Sequence, residues 1–111
     1  MAPPSKVTIA TGVVNRLVKE EASYHKEIEQ QEARIKKHET SEGDENAEYT
    51  LRQERQALQE TKNVLPGMKT KIETALEKLE DELENGEASE AEVAKAREAI
   101  AKGKEAVKET S

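Results

Sequence analysis

The chain has 111 residues, 38% of them charged and 33% apolar, with a formal net charge of −6. It contains no Phe, Trp or Cys, and Tyr24 and Tyr49 are its only aromatic residues. These counts exclude a disulfide scaffold, a thiolate metal site, a cysteine nucleophile and a sheet protein, which needs β-branched and aromatic side chains.

Ala, Glu, Lys, Leu and Arg together account for 61 residues, the composition of long helices and coiled coils. No apolar run approaches the ~20 residues of a membrane helix, and MAPPSKVTIATGVV lacks the basic and apolar regions of a secretory signal. A soluble cytoplasmic protein without membrane contact is the expectation.

The first element opens after Pro3 and Pro4, with Ser5, Thr8 or Thr11 as its N-cap. A 3-4 spacing then runs Val7, Ala10, Val14, Leu17, Glu21, Tyr24, Ile28, Gln31, Ile35, His38, a heptad-like stripe widened by Val13 and Val18. It predicts a helix over about 8–38. Glu21 and Gln31 are polar members of the stripe. Two readings stay open for them and for Tyr24: setting register inside a bundle, or lining a partner's groove.

Residues 39–46, ETSEGDEN, hold no apolar side chain and read as a short loop, which makes antiparallel neighbours of the helices it joins. The second helix is expected over about 47–84, starting near Asn46 or Thr50, with Thr50 and Gln53 at capping-box spacing. Leu51, Leu58, Leu65, Met68, Ile72, Leu76, Leu79 and Leu83 mark its face. The register slips by one residue between Ile72 and Leu76, so the stripe drifts around the helix. Pro66 stands in the middle and predicts a kink, because proline removes one backbone bond. Asn85-Gly86 is a C-cap signal.

Ser89 and Glu92 form an S-x-x-E capping box that opens a third helix over about 90–108. Its face, Val93, Ala96, Ile100, Gly103, Val107, is made of small residues and packs closely. Each helix has one apolar stripe and cannot be buried alone. The predicted fold is all-α: a single domain over 1–111, an elongated antiparallel three-helix bundle, up-down-up and left-handed, with its middle helix kinked at Pro66.

Reactive groups do not converge. His25 and His38 lie more than three helical turns apart and cannot share a metal. His25 is expected to be exposed, and His38 to cap a helix end or face solvent. The acidic run Glu80, Asp81, Glu82, Glu84 lacks calcium-loop spacing. No phosphate-cradling glycine motif or nucleophile elbow occurs. The basic stretch Arg52, Arg55, Lys62, Lys69, Lys71 has no interleaved aromatics on which single-stranded bases could stack. No enzyme, cofactor, metal or nucleic-acid partner is expected. Charge is instead blocked: residues 51–72 carry net +3 and residues 73–92 net −8. A partner protein can read such stripes.

The wording of two segments goes further. Thr11-Gly12-Val13-Val14 with Arg16-Leu17-Val18-Lys19-Glu20, continued by Tyr24, Lys26-Glu27, Gln31-Glu32 and Ile35, resembles the opening of the tubulin-binding cofactor A family. Gln53-Glu54, Leu58-Gln59-Glu60-Thr61-Lys62 and Leu65-Pro66 resemble that family's middle helix, proline included. The similarity spans roughly residues 5–85. It implies a cytosolic, cytoskeleton-associated three-helix bundle that captures β-tubulin after chaperonin release and feeds α/β-tubulin assembly with cofactors D, E and C, using no nucleotide or metal. Such capture suppresses aggregation by mass action.

The residues expected to meet the client are the polar positions outside the seam: Arg16, Lys19, Glu20, Glu27, Glu32 and Arg34 on the first helix, and Arg52, Arg55, Gln59 and Lys62 on the second. The sequence leaves monomer and homodimer both open. The rival reading is a spectrin-like or coiled-coil scaffold, although such repeats usually carry a buried Trp that is missing here. A prefoldin-like subunit would need hairpins that residues 39–46 are too short to supply.

Overall fold

A computed structural model describes residues 4–40 and 45–110. It holds three helices: α1 (Lys6–Thr40), α2 (Glu45–Asn85) and α3 (Glu90–Thr110). No strand occurs among the described residues.

The caps explain the boundaries. Ser5 is the N-cap of α1: its Oγ accepts from the Thr8 backbone N–H at 3.1 Å, and its carbonyl accepts from Ile9 at 3.0 Å. Ser89 and Glu92 form the reciprocal capping box of α3, at 3.0 and 3.2 Å.

Both ends of the segment expected as a loop over 39–46 are helical. Glu39 and Thr40 still belong to α1, where the Thr40 hydroxyl donates to the Lys37 carbonyl at 3.0 Å. Asn46 already belongs to α2, and residues 41–44 lie outside the described residues. Thr50 therefore sits inside α2 rather than at its cap. Glu and Ala are good helix formers, so a polar stretch need not be a loop.

At the other end, Gly86 does not adopt the left-handed conformation of a C-cap glycine. A Cβ there would run into the Glu82 carbonyl. Asn85 closes the last turn by donating from Nδ2 to the Asp81 carbonyl at 3.0 Å. α2 runs unbroken through Pro66.

Contacts between the helices locate their ends. Ser5 and Thr8 of α1 both donate to Glu92 of α3, the Thr8 bond at 2.7 Å. His38 Nδ1 meets Glu54 Oε2 at 2.8 Å, and Arg55 meets Glu39 at 2.9 Å, tying the end of α1 to the start of α2. Gly103 of α3 lies against Leu76, and Lys104 faces Glu80 at 3.7 Å.

The helices differ greatly in length. At 1.5 Å per residue, the 35, 41 and 21 residues of α1, α2 and α3 span roughly 52, 61 and 31 Å. The molecule measures 64 × 27 × 18 Å. α3 therefore covers only about half of the α1–α2 pair. The main core sits in that half: Val7, Ala10, Val14 and Leu17 of α1, Met68, Ile72, Ala75, Leu76 and Leu79 of α2, and Ala96, Ala99 and Ala106 of α3. Small residues on α3 let its backbone approach closely. A Cβ on Gly103 would lie 2.7 Å from Leu76 Cδ2.

Beyond α3 two helices continue alone. Ile28 and Ile35 are buried there, but Leu51, Leu58 and Leu65 are only half-buried. The facing residues become polar as well. Ile72 and Leu79, both 0% exposed, have Glu54 and Thr61 as their counterparts five turns earlier on the same face.

Candidate partner-binding groove

On the side of the α1–α2 pair away from α3, the two helices leave an open groove of about 1020 Å³. Ile9, Ala10, Val13 and Leu17 from α1 and Ala75 from α2 make its apolar floor. Ile9 is 55% exposed, which is unusual for an isoleucine in a chain so poor in large apolar residues. The rim is charged. Lys6, Arg16, Lys71 and Lys78 stand against Glu20 and Glu82, an excess of two positive charges. Arg16 pairs with Glu20 at 3.9 Å, and Lys78 with Glu82 at 3.6 Å, both one turn apart. Such exposed pairs contribute little to stability and can reorient toward a partner.

Of the residues expected to meet a client, Arg16 and Glu20 line this groove. Glu27 and Arg34 continue their line down α1, since 16 to 34 is five turns. Lys19 is exposed to one side, and Glu32 faces another way. Arg52, Arg55, Gln59 and Lys62 form an exposed line on α2, in the half beyond α3. The structure thus brings together Arg16 and Glu20, and separately the four α2 residues, but not the two groups. Sequence reasoning missed Ile9, Lys71, Thr74 and Lys78. Ile9, Val13 and Glu20 do follow a helical spacing of four and then seven residues beside the core stripe. The α2 contribution depends on how the two helices are aligned.

A second, shallower groove between α1 and α3 is lined by Val18, Glu21, Ala22, His25, Ala101, Lys102, Glu105, Ala106 and Glu109. Glu21 is 2% exposed, and its Oε1 lies 2.5 Å from His25 Nε2. His25 is thus not the exposed residue expected. It stands one turn beyond a buried carboxylate and leans on it. Glu21 Oε2 makes no hydrogen bond among the described residues, nor does Gln31 Oε1, although Gln31 is 6% exposed. Both stripe positions are therefore inside the molecule. His38 likewise does more than cap α1, because it bonds across to Glu54.

The most perturbed carboxylate is Glu92, held down to about 2 from its ordinary 4.5. The Ser5 hydroxyl is the largest cause, followed by the Thr8 hydroxyl and the Ser89 backbone N–H, all donating to the ionised form. This carboxylate is structural. It caps α3 and clasps α3 to the first turn of α1.

The described residues contain no group of three or more His, Asp or Glu placed to hold a metal, and no helix long and apolar enough to cross a membrane. What fold and groove define is a slender all-helical bundle with an open apolar groove and exposed charged helix faces. A profile of the family described as Tubulin binding cofactor A matches residues 2–107. Human tubulin-specific chaperone A is 38% identical over 87 residues, which cover 77% of this chain and 78% of that protein. The Saccharomyces cerevisiae tubulin-specific chaperone A is 33% identical over 102 residues, covering 92% and 93%. The crystal structure of tubulin folding cofactor A from Arabidopsis thaliana superposes with a TM-score of 0.77 at 29% identity, covering 89% of this chain and 92% of that one. The chain belongs to the tubulin binding cofactor A family. That is a family of chaperones and folding cofactors.

Proposed function

We propose that this protein captures β-tubulin after its release from the chaperonin, shields it, and passes it toward α/β-heterodimer assembly in the cytoplasm, alongside other tubulin-folding cofactors and without chemical catalysis. Its family and the names of its relatives support tubulin as the client. The observation that carries the rest is the basic-rimmed apolar groove with Ile9 on its floor. An apolar strip rimmed by charge is the signature of a protein-binding surface. An acidic client is drawn to Lys6, Arg16, Lys71 and Lys78, while Ile9, Val13 and Leu17 cover apolar surface that its missing partner would bury.

Arg16, Lys19, Glu20, Glu27 and Arg34 extend this contact along α1 as rim residues, and Glu32, Arg52, Arg55, Gln59 and Lys62 supply a second contact surface. The end-to-end contacts of Ser5 and Thr8 with Glu92, and of His38 with Glu54, support an up-down-up course. Left-handed packing suits the heptad stripe of α1. A bend of α2 at Pro66 follows from the backbone bond that its nitrogen cannot make.

Lysine cross-linking of the complex with β-tubulin tests the groove. Cross-links from Lys6, Lys71 and Lys78 are expected. Cross-links confined to Lys95, Lys102 and Lys108 of α3 would contradict it.

A further inference from the structure

We propose that the α1–α2 pair beyond the end of α3 is a seat for a helix supplied by another protein, an amphipathic helix with an acidic edge that lies in line with α3. The inference does not use the groove; it deepens the second contact surface proposed above, since Arg55, Gln59 and Lys62 belong to both, and its failure would leave capture in the groove standing.

The argument starts from a repeat in α2. Leu58 precedes Leu76 by 18 positions, five turns at 3.6 residues each, so both lie on one face. Leu76 is 7% exposed, with Gly103 of α3 directly over it. Leu58 is only half-buried, and Leu51 and Leu65, one heptad to either side, are half-buried too. The same apolar face thus continues past the place where its cover stops. Three leucines across two heptads span about 21 Å, the length of a partner helix of four turns.

The charges beside this face choose the occupant. Along the half that α3 covers, α2 carries Glu73, Glu77 and Glu80, and Glu80 faces Lys104 of α3. Five turns earlier the corresponding residues are Arg55, Gln59 and Lys62, all exposed. The edge has changed sign. A helix with the basic edge of α3 fits the first half and is repelled by the second. A helix with glutamates at the same positions fits the second. Across the seat, α1 continues from the α3-facing residues Val18, Ala22 and His25 to Glu29, Glu32 and Lys36, a mixed edge that makes a weaker demand. A second copy's α3 is therefore a poor occupant of this seat.

The test uses the full chain and a synthetic helical peptide of about 18 residues, with leucines at 3-4 spacing flanked by glutamates. Methyl NMR should show the peptide shifting Leu51, Leu58 and Leu65 while leaving Ile9 and Val13 unmoved. Lys62→Glu, and Arg55→Glu with it, should weaken binding about tenfold or more, as should exchanging the peptide's glutamates for lysines. Both positions are exposed, but Arg55 also pairs with Glu39, so Lys62→Glu alone carries the test if the double variant loses helicity by circular dichroism. The proposal is overturned if the lysine peptide binds equally well, if the shifts fall on Ile9 and Val13, or if no binding occurs. It is also overturned if sedimentation shows the leucines buried in a dimer of this chain.

Discussion

The half of the molecule that α3 covers and the half it leaves bare are built from the same two helices, yet they differ in what holds them together. In the covered half Ile72 and Leu79 are fully buried and Leu76 nearly so. In the bare half the matching positions are Glu54, Thr61 and Leu58, and the join rests on Ile28, Ile35 and polar pairs such as His38–Glu54 and Arg55–Glu39. A third helix allows α2 to bury a wide apolar stripe, whereas two helices alone bury a narrow one and make up the difference with polar contacts. One half is suited to being a rigid core. The other presents half-buried leucines and an exposed basic edge to whatever arrives.

The largest expected effect sharpens this contrast directly. Leu76→Ala should cost about 3 kcal/mol in chemical denaturation, because it opens a cavity beneath Gly103. Leu58→Ala, five turns away on the same face, should cost about 1 kcal/mol, since water already reaches that side chain. Equal costs would mean that the two halves are packed alike.

Glycines divide the molecule in the same way. Gly103→Ala should destabilise by about 1–3 kcal/mol, because the added methyl meets Leu76 Cδ2 at 2.7 Å. Gly12→Ala has nothing within 4 Å and should stabilise by about 0.5–1 kcal/mol through backbone entropy and helix propensity. Thermal melts of the two variants should therefore shift in opposite directions.

In the bare half, Gln31→Leu should raise stability by about 1 kcal/mol, as it removes a buried acceptor that makes no bond among the described residues.

The clasp at the covered end gives a pH signature. Glu92 is depressed in the folded protein, so its contribution is present above the ordinary value near 4.5 and is lost as pH falls toward about 2. Ser5→Ala with Thr8→Ala should move the Glu92 titration upward by NMR, and should shift the loss of α3 contacts to higher pH.

Much of this was legible in the sequence, and the reasons for the rest are physical. The stripe from Val7 to Ile35 and the Ser89–Glu92 box are local patterns, and local patterns survive folding. The polar members Glu21 and Gln31 lie inside, and the 21–25 spacing that pairs Glu21 with His25 is as visible in the sequence as any capping box. The reach of α3 follows from its short length. The groove was less accessible. Val13 widens the core stripe as its spacing predicts, and also lines the groove floor, while the participation of Lys71 and Lys78 depends on how far α2 slides along α1. That alignment is set by contacts such as His38–Glu54, between residues 16 positions apart on two different helices, and no pattern within one helix reveals it.

The open groove of the covered half is the proposed seat of β-tubulin. Co-purification of β-tubulin with wild-type protein and with the Ile9→Glu, Val13→Glu double variant tests it most directly. Ile9 is 55% exposed and Val13 half-buried against the core, and circular dichroism checks that the variant remains helical. Wild type should bring down β-tubulin and the variant should lose it by about tenfold or more. Undiminished β-tubulin on a folded double variant would contradict the claim.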